Sequence, residues 1–436
     1  MSWPILLPFP ALLLCIALMP LLASRWWEHD RNKALVAIGL AVPVATHLVF
    51  AGAVEELVRS LEDYGAFLAL LGSLFVIAGG IHVRGSLAGT PIANTALLGV
   101  GAVLANLIGT TGASMVLIRP LLRANRPRRE VSHIVVFFIF TVSNCGGLLT
   151  PLGDPPLFLG FLHGVPFTWT LEALWAPWLV VNGALLAAFH VIDGIVLARE
   201  ERAYPEPLLE QVQEHEPIAI DGKRNLVFLA GVLLFMLGRG GGWGTGGEPW
   251  PFGLQEAGMI ACAAAAFTVT PAATRRANRF AFGPIVEVAV LFLGIFVTIV
   301  PVMALVHEAG PHLGLREPWQ YFWATGTLSS FLDNAPTYLT FAASAAGSAG
   351  IPLADESYLG AYLALGGTQA AGVMAAISAG AVFMGAMTYV GNGPNFMVKA
   401  IAESQGVRVP SFFGYMTWSA AILLPLLLVV TFLFLR

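Results

Sequence analysis

Thr150-Pro151-Leu152-Gly153-Asp154-Pro155-Pro156-Leu157-Phe158 recurs in degraded form as Thr388-Tyr389-Val390-Gly391-Asn392-Gly393-Pro394-Asn395-Phe396. The shared pattern is T-x-x-G-[D/N]-x-P-x-F, and each copy lies inside a long apolar stretch. Gly has little helix propensity and Pro removes a backbone donor, so each copy is expected to break a helix. In hydrocarbon, unwound backbone is tolerated only where it is buried in protein or lines a cavity. Two corresponding breaks in the two halves of one chain point to an internal repeat around a central site, the arrangement of a secondary transporter.

The composition supports a membrane setting. Of 436 residues, 57% are hydrophobic and only 11% charged, and the mean hydropathy is +0.77. Soluble domains carry roughly a quarter charged residues, so a globular cytosolic protein is excluded. The net charge of -4 is spread too thinly to indicate a partner. Cys15, Cys145 and Cys262 show neither a disulfide framework nor a zinc spacing. His47 and His82 stand alone on apolar segments, which favours packing or hydrogen-bonding roles over ligation. Residues 1–24 lack a basic leader and meet their first positive charge only at Arg25, so they read as a first span and not as a signal peptide.

A spanning helix needs about 20 apolar residues. Such runs fall near 4–24, 34–54, 65–83, 131–162 and 170–198, and again near 225–238, 254–273, 283–306, 371–402 and 411–435. The hydrophilic stretch 199–224 separates a first repeat, 1–198, from a second, 225–436, and is expected on the cytoplasmic side. Segment 357–370 fits either an interfacial helix or part of the ninth span. Two further apolar runs, 90–119 and 319–347, behave differently. Arg84 precedes the first, and Arg123, Arg126, Arg128 and Arg129 follow it, so the positive-inside rule puts both its ends in the cytoplasm. A run that enters and leaves on one side is a re-entrant hairpin. Arg275, Arg276 and Arg279 mark the cytoplasm before the eighth span, and 319–347, with weakly charged flanks, becomes a hairpin entering from outside.

The expected fold is therefore an all-α polytopic membrane protein of two inverted repeats. Each has five spans, one re-entrant hairpin and one broken helix, near 131–162 and 371–402. Ten spans leave both termini outside, and the setting is the inner (plasma) membrane.

The candidate site residues cluster at the hairpin tips and the breaks. The tips are Asn106-Leu107-Ile108-Gly109-Thr110-Thr111-Gly112 and Ser329-Ser330-Phe331-Leu332-Asp333-Asn334-Ala335-Pro336-Thr337. Each gathers hydroxyls and amides in apolar surroundings, where oxygens can coordinate a hard cation. Helix–helix packing by small polar residues is the competing explanation for any one of them. The first break is led by Ser143, Asn144, Gly146, Gly147 and Thr150 and ends at Asp154; the second contributes Thr388, Gly391, Asn392 and Asn395.

Asp154 and Asp333 are the carboxylates singled out, because an ionisable group at the bilayer centre costs at least about 2.5–3.5 kcal/mol and usually serves a pathway. If they converge, burial and mutual repulsion favour a held proton, while a bound cation favours its release. Asp154, just before Pro155-Pro156, has a ready alternative role as a helix cap; Asp333, at a hairpin tip, has less of one. The sodium candidates are Asp154, Asp333, Asn144 and Asn334. Glu287 and Lys399 lie nearer span ends, where snorkelling explains them.

The sequence lacks a G-x-x-x-x-G-K-[ST] loop for ATP and a basic patch suited to nucleic acid. A membrane-embedded hydrolase would need a nucleophile–base or metal constellation, and none is legible, so the chain reads as a non-enzyme without cofactor. Its partners are a small ion or small molecule and membrane lipid, with Na+ or H+ as the coupling ion.

The motifs S-N-C-G-G-L-L-T-P-L-G-D-P-P at 143–156, L-D-N-A-P-T at 332–337 and G-N-G-P-N at 391–395 resemble the ion transporter superfamily. The similarity is greatest to NhaD-type sodium/proton antiporters and their arsenite-permease and citrate-transporter relatives. The resemblance implies a homodimer in which a transport domain moves against a scaffold. Dicarboxylate carriers of the superfamily have S-N-T at both hairpin tips, which this chain lacks. The sequence reading therefore favours Na+ (or Li+) antiport against H+, with transport of an organic anion or arsenite as the alternative.

If both ends of the run 90–119 lie on one side, single cysteines placed near Arg84 and near Arg126 will both react with an impermeant reagent from the cytoplasmic face only. Labelling of either one from outside would remove the inverted arrangement.

Overall fold

The computed structural model describes residues 3–86, 88–203, 216–246 and 250–436. Helix α1 (Pro8–Leu22) is followed by α2 (Asp30–Phe50) and α3 (Val54–Gly79). In the second half, α8 (Asn225–Gly240), α9 (Leu254–Val269) and α10 (Gly283–Ala309) occupy the same place in the chain order. These six pack together, α10 against α2 and α3, and α9 against α3. The α3–α10 contact is aromatic: Phe67 stacks on Phe292 at 4.7 Å, and Tyr64 donates to the Ala289 carbonyl at 2.9 Å. Helix α3 begins well before the apolar run 65–83, since it also takes in Glu55, Glu56, Glu62 and Asp63.

The remaining elements form an inner body. In the first half these are α4 (Pro91–Ala124), α5 (Ser132–Thr141), α6 (Pro155–Leu162) and α7 (Trp169–Ala203). In the second half they are α11 (Pro318–Ser329), α12 (Asn334–Ser348), α13 (Tyr358–Met384), α14 (Gly393–Ser404) and α15 (Phe412–Phe434). Eight helices among the described residues are long and apolar enough to cross a membrane, and α8, α9 and the segment Pro4–Pro20 are shorter apolar helices.

Although α4 runs for 34 residues, it is not a rod. Gly109 sits at φ 76°, ψ 155°, a conformation open to Gly and costly for other residues. The chain reverses there, and the arms lie side by side. Asn94 and Asn125 exchange hydrogen bonds of 2.9 and 2.8 Å; along a straight helix they would stand about 46 Å apart. In the second half α11 and α12, of 12 and 15 residues, form the corresponding hairpin around Ser330–Asp333. Each of those arms spans only about 18–23 Å, short of the roughly 30 Å hydrocarbon core.

Helix α5 (SHIVVFFIFT) is apolar on all sides, the mark of a helix surrounded by protein. Ile134 through Phe140 are all 0% exposed. The break after it consists of a short 3-10 turn, Cys145–Leu149, and a tight turn over Thr150–Gly153, closed by Gly153 N–H to Thr150 O at 2.9 Å, with extended backbone at Thr150 and Asp154. Pro155 and Pro156 restart the chain as α6, where a missing N–H costs nothing. The second break repeats this order, with a 3-10 turn at Gly385–Met387 and Gly393-Pro394 opening α14.

Two expectations need correction, and a third, left open, is narrowed. The linker 199–224 is not wholly separate: α7 continues to Ala203, and Glu216–Asp221 forms a strand antiparallel to His82–Ser86, with the rest of the linker outside the described residues. This two-stranded ribbon aside, the regular elements described are helical, in keeping with an all-α polytopic membrane protein. His82 is accordingly no lone residue of an apolar segment; its Nδ1 lies 3.6 Å from Asp221 Oδ2, which also takes the Arg84 guanidinium at 2.6 Å. Segment 357–370 belongs to α13 but is divided from the rest by non-helical backbone at Gly367, so it is a separate short helix and not the start of a straight span.

With the native cysteines replaced, Asn94→Cys combined with Asn125→Cys will be joined by a short bifunctional thiol reagent, detected as a band with altered gel mobility. A pair that resists joining while both thiols remain reactive would disprove the α4 reversal.

Candidate functional site

Unwound backbone has to be satisfied by side chains wherever water is excluded. Asn106 in the α4 hairpin does this for the first break, donating to the Gly146 carbonyl at 2.7 Å and accepting from the Leu149 N–H at 2.8 Å. Helix α7 supplies Trp178 Nε1 to Gly146 O at 2.8 Å, Asn182 Nδ2 to Cys145 O at 3.1 Å, and Thr170 Oγ1 to Leu149 O at 2.9 Å. The second break is served in the same way by α15: Tyr415 OH donates to Ala386 O at 2.8 Å and Ser419 Oγ to Met387 O at 2.7 Å.

The threonine that opens each T-x-x-G motif ties its break to a hairpin. Thr150 Oγ1 donates to Asn106 O and Thr388 Oγ1 to Ser330 O, both at 2.5 Å. The motif glycines close the turn. A Cβ on Gly153 would lie 2.1 Å from Gly147 O, and one on Gly391 would lie 2.6 Å from Gly385 O, so no larger residue fits either position.

With the breaks held, polar side chains from both halves converge on Asp154, which is 1% exposed. Its Oδ1 accepts from Thr110 Oγ1 at 3.0 Å and from Asn392 Nδ2 at 3.1 Å, and its Oδ2 accepts from Asn334 Nδ2. Asn392 also donates to Asn144 Oδ1 at 3.1 Å, Asn144 donates to Asn395 Oδ1 at 2.6 Å, and Asn395 donates to the carbonyls of Gly385 and Thr388 at 2.9 Å. Ser143 meets Ser114 hydroxyl to hydroxyl at 2.8 Å. All three donors to the carboxylate are neutral. The Asn334 carbonyl oxygen is buried without a hydrogen-bond partner.

A cavity of about 930 Å³ reaches this network and is lined by Thr110, Thr111, Asp154, Asp333 and Asn392. From there it extends to Trp27, Lys33, Pro284 and Ser411. Both lysines on its wall are paired: Lys33 contacts Glu287 at 2.8 Å and Lys399 contacts Glu403 at 2.8 Å. Those ion pairs, and not snorkelling, are the surroundings of Glu287 and Lys399. Four helical starts meet at the cavity, namely the second arm of α4 at Thr110, α6 at Pro155, α12 just after Asp333 and α14 at Gly393. Their dipoles place partial positive charge there, although Pro155, Pro156, Pro336 and Pro394 carry no N–H and the Thr110 N–H is taken by the Gly153 carbonyl.

Both carboxylates were expected as ligands; the capping alternative, raised for Asp154, is met at Asp333. Asp154 occupies the cap position of α6 yet makes no side-chain cap bond, because Thr110, Asn334 and Asn392 hold its oxygens. Asp333, half-buried, accepts from the Ala335 N–H at 3.1 Å and caps α12. Among the other candidates, Thr110, Ser143, Asn144, Asn334, Asn392 and Asn395 join the network, and Thr111 lines the cavity. Gly146, Gly147, Thr150, Thr388, Gly391 and Asn106 shape and anchor the breaks. Ser330 anchors the second break through its carbonyl, while its hydroxyl, like those of Ser329 and Thr337, is turned to backbone elsewhere: the three donate to Gly326 O, Ala381 O and Asp333 O at 2.8, 2.7 and 2.9 Å. Sequence reading missed Ser114, Trp178, Asn182, Tyr415 and Ser419. Their one signal is a polar group on an otherwise apolar helix, which many membrane helices share. Among the described residues no cluster of three His, Cys, Asp or Glu side chains could hold a metal.

A family profile described as "Putative citrate transport" matches residues 1–435. The chain belongs to this family, within the ion transporter superfamily, and is a multi-pass membrane protein. No curated protein matches it.

Because Asp333 acts as a cap, Asp333→Asn will melt close to the wild type, while Asp333→Ala will lose about 1 kcal/mol. Asp154→Ala strands two buried donors, Thr110 Oγ1 and Asn334 Nδ2, while Asn392 keeps Asn144 Oδ1, and will lose more, about 1–3 kcal/mol for each donor left without a partner. Thermal unfolding of the purified variants in one detergent measures the order. A loss from Asp333→Ala exceeding that from Asp154→Ala would reverse the assignment.

Proposed function

We propose that the protein is a secondary transporter that moves a citrate-like organic anion together with a cation, Na+ or H+, bound at Asp154. The observation that carries this is the buried Asp154 carboxylate with neutral donors only. An ionised carboxylate at depth costs several kcal/mol unless a proton or cation accompanies it. The unpaired Asn334 oxygen beside it offers a further ligand, and hydroxyl, amide and carboxylate oxygens suit a hard cation. The dipoles of the four helical starts and the co-bound cation offset the anion's charge without a free cationic side chain, since Lys33 and Lys399 are already paired. The family description supports a carboxylate-bearing substrate.

The cycle we infer is alternating access. Two repeats of opposite orientation hold the site between them, with the α4 and α11–α12 hairpins re-entrant and both chain termini outside. The inner body is the moving part, the six packed helices are the scaffold, and two copies assemble in the inner membrane. The cavity extends toward Trp27, Lys33 and Pro284, next to the basic segments at Arg25, Arg31, Arg275 and Arg276. By the positive-inside rule that is the cytoplasmic side, so the conformation described is inward-facing.

A second reading, Na+/H+ antiport, draws on one particular observation: Asp154 and Asp333 line a single cavity. The two separate in proteoliposomes. Citrate uptake is expected to follow an imposed inward Na+ or H+ gradient, and Asp154→Asn, which keeps the size and the acceptor oxygen, is expected to abolish gradient-driven uptake. Exchange of Na+ for H+ that runs without citrate and ignores it would favour antiport. Arsenite flux in the same vesicles, with no citrate flux, would replace the substrate. Undiminished coupling in Asp154→Asn would remove that residue from the mechanism.

A further inference from the structure

We propose a second site, on the basic side of the molecule, that binds the phosphate group of an anionic phospholipid. A cavity of about 1220 Å³ lies between the segment following α4, the end of α7 and the loop after α14. Six of the chain's 22 Lys and Arg residues line it, namely Arg126, Arg128, Arg129, Arg199, Arg279 and Arg408, against the single acid Glu130. Among the described residues Arg126, Arg199, Arg279 and Arg408 are exposed and lie in no ion pair. Uncompensated arginines gathered on one cavity repel one another, and an anion relieves that repulsion. Guanidinium groups match phosphate oxygens in pairs of parallel hydrogen bonds.

The floor of the cavity is rigid and carries its own donor. Arg128, whose side chain is 0% exposed, contacts Asp193 Oδ1 at 2.6 Å and Glu200 Oε2 at 3.5 Å. Asp193 is held in turn by Asn94 Nδ2 at 2.9 Å and His133 Nε2 at 2.8 Å, and Glu200 Oε1 accepts from the backbone N–H groups of Arg129 and Glu130 at 2.7 and 2.6 Å. Those partners fix the guanidinium plane yet leave Arg128 Nη2 buried without a hydrogen-bond partner. A buried donor of that kind costs free energy until an acceptor reaches it.

The apolar lining selects the source of the phosphate. Ile192, Ile195 and Val196 on α7 and Trp418 on α15 share the cavity with the arginines, and Ile195 is 47% exposed. A headgroup seated on the arginines would have its acyl chains continue along this wall, and Trp is favoured at the level of lipid headgroups. Basic pockets between spanning helices are suited to anionic lipids, at about 1 kcal/mol for each Lys or Arg. The site depends on residence in the membrane and not on which solute is carried.

Native mass spectrometry of the full chain in mild detergent, titrated with phosphatidylglycerol or with phosphatidylcholine of the same acyl chains, tests the site. The wild type is expected to retain phosphatidylglycerol preferentially. Arg126→Gln with Arg199→Gln and Arg408→Gln is expected to weaken that binding about a hundredfold, and Arg126→Gln alone about fivefold. These exposed side chains hold no ion pair in the fold, and the matching triple Arg→Lys variant, expected to keep most of the affinity, separates lost charge from lost folding. Inorganic phosphate added as competitor is expected to leave the lipid bound. Displacement by phosphate would show a site for the free anion and overturn the lipid assignment. Equal retention of the two lipids, or unchanged preference in either Gln variant, would overturn the site.

Discussion

Backbone that leaves its helix inside a membrane protein must find new hydrogen-bond partners, and this requirement organises the inner body. Each break is bonded from two directions. The hairpin of the same half approaches through Asn106 or Ser330, and the long helix that follows contributes Trp178 and Asn182 or Tyr415 and Ser419. Carbonyls of unwound backbone accept the bonds from Asn106, Trp178, Asn182, Tyr415 and Ser419, while Thr388 on the second break donates to the Ser330 carbonyl of the hairpin, so break, hairpin and long helix are tied together. The breaks are consequently rigid, and the groups mounted on them, Asp154 and Asn392, face each other across a boundary 238 residues apart in sequence.

That rigidity makes a buried carboxylate tolerable. Hydroxyl and amide dipoles aimed at Asp154 lower the cost of its charge without cancelling it, as a fixed cationic partner would. An Arg or Lys in place of Asn334 or Asn392 would form a permanent ion pair and leave a travelling cation nothing to neutralise. Where the fold does need a permanent buried ion pair, it uses one: Arg128 with Asp193, beneath the basic cavity. The two buried aspartates thus differ in kind: one has neutral donors only, and the other a guanidinium fixed against it.

The two halves also differ in a way that their shared motif conceals. Asp154 and Asn392 occupy the same position with nearly the same backbone, φ −144°, ψ 144° and φ −154°, ψ 139°. Only the first carries charge; the second serves it as a donor. The two copies of the motif thus contribute an acid from one side and an amide from the other.

Much of this was legible in the chain itself. Gly and Pro within apolar runs identify the breaks, because those residues lack the propensity or the donor that a helix needs. Polar tips between basic flanks pointed to the first hairpin. What the chain could not reveal was which carboxylate would be the cap and which would be held by the network. Asp154 and Asp333 both precede a helix; the second N–H, which Ala335 gives to Asp333, is missing from α6, where Pro156 stands, yet the third, at Leu157, still leaves Asp154 a cap bond in principle. The choice is made by Asn334, 180 residues from Asp154, and by Thr110 and Asn392, which draw one carboxylate away from its own helix while no such group reaches the other. Hydrogen bonds between segments that meet only after folding leave no periodicity and no spacing in the sequence. That is why the break positions belong to the sequence, and the division of labour between the two acids belongs to the tertiary structure.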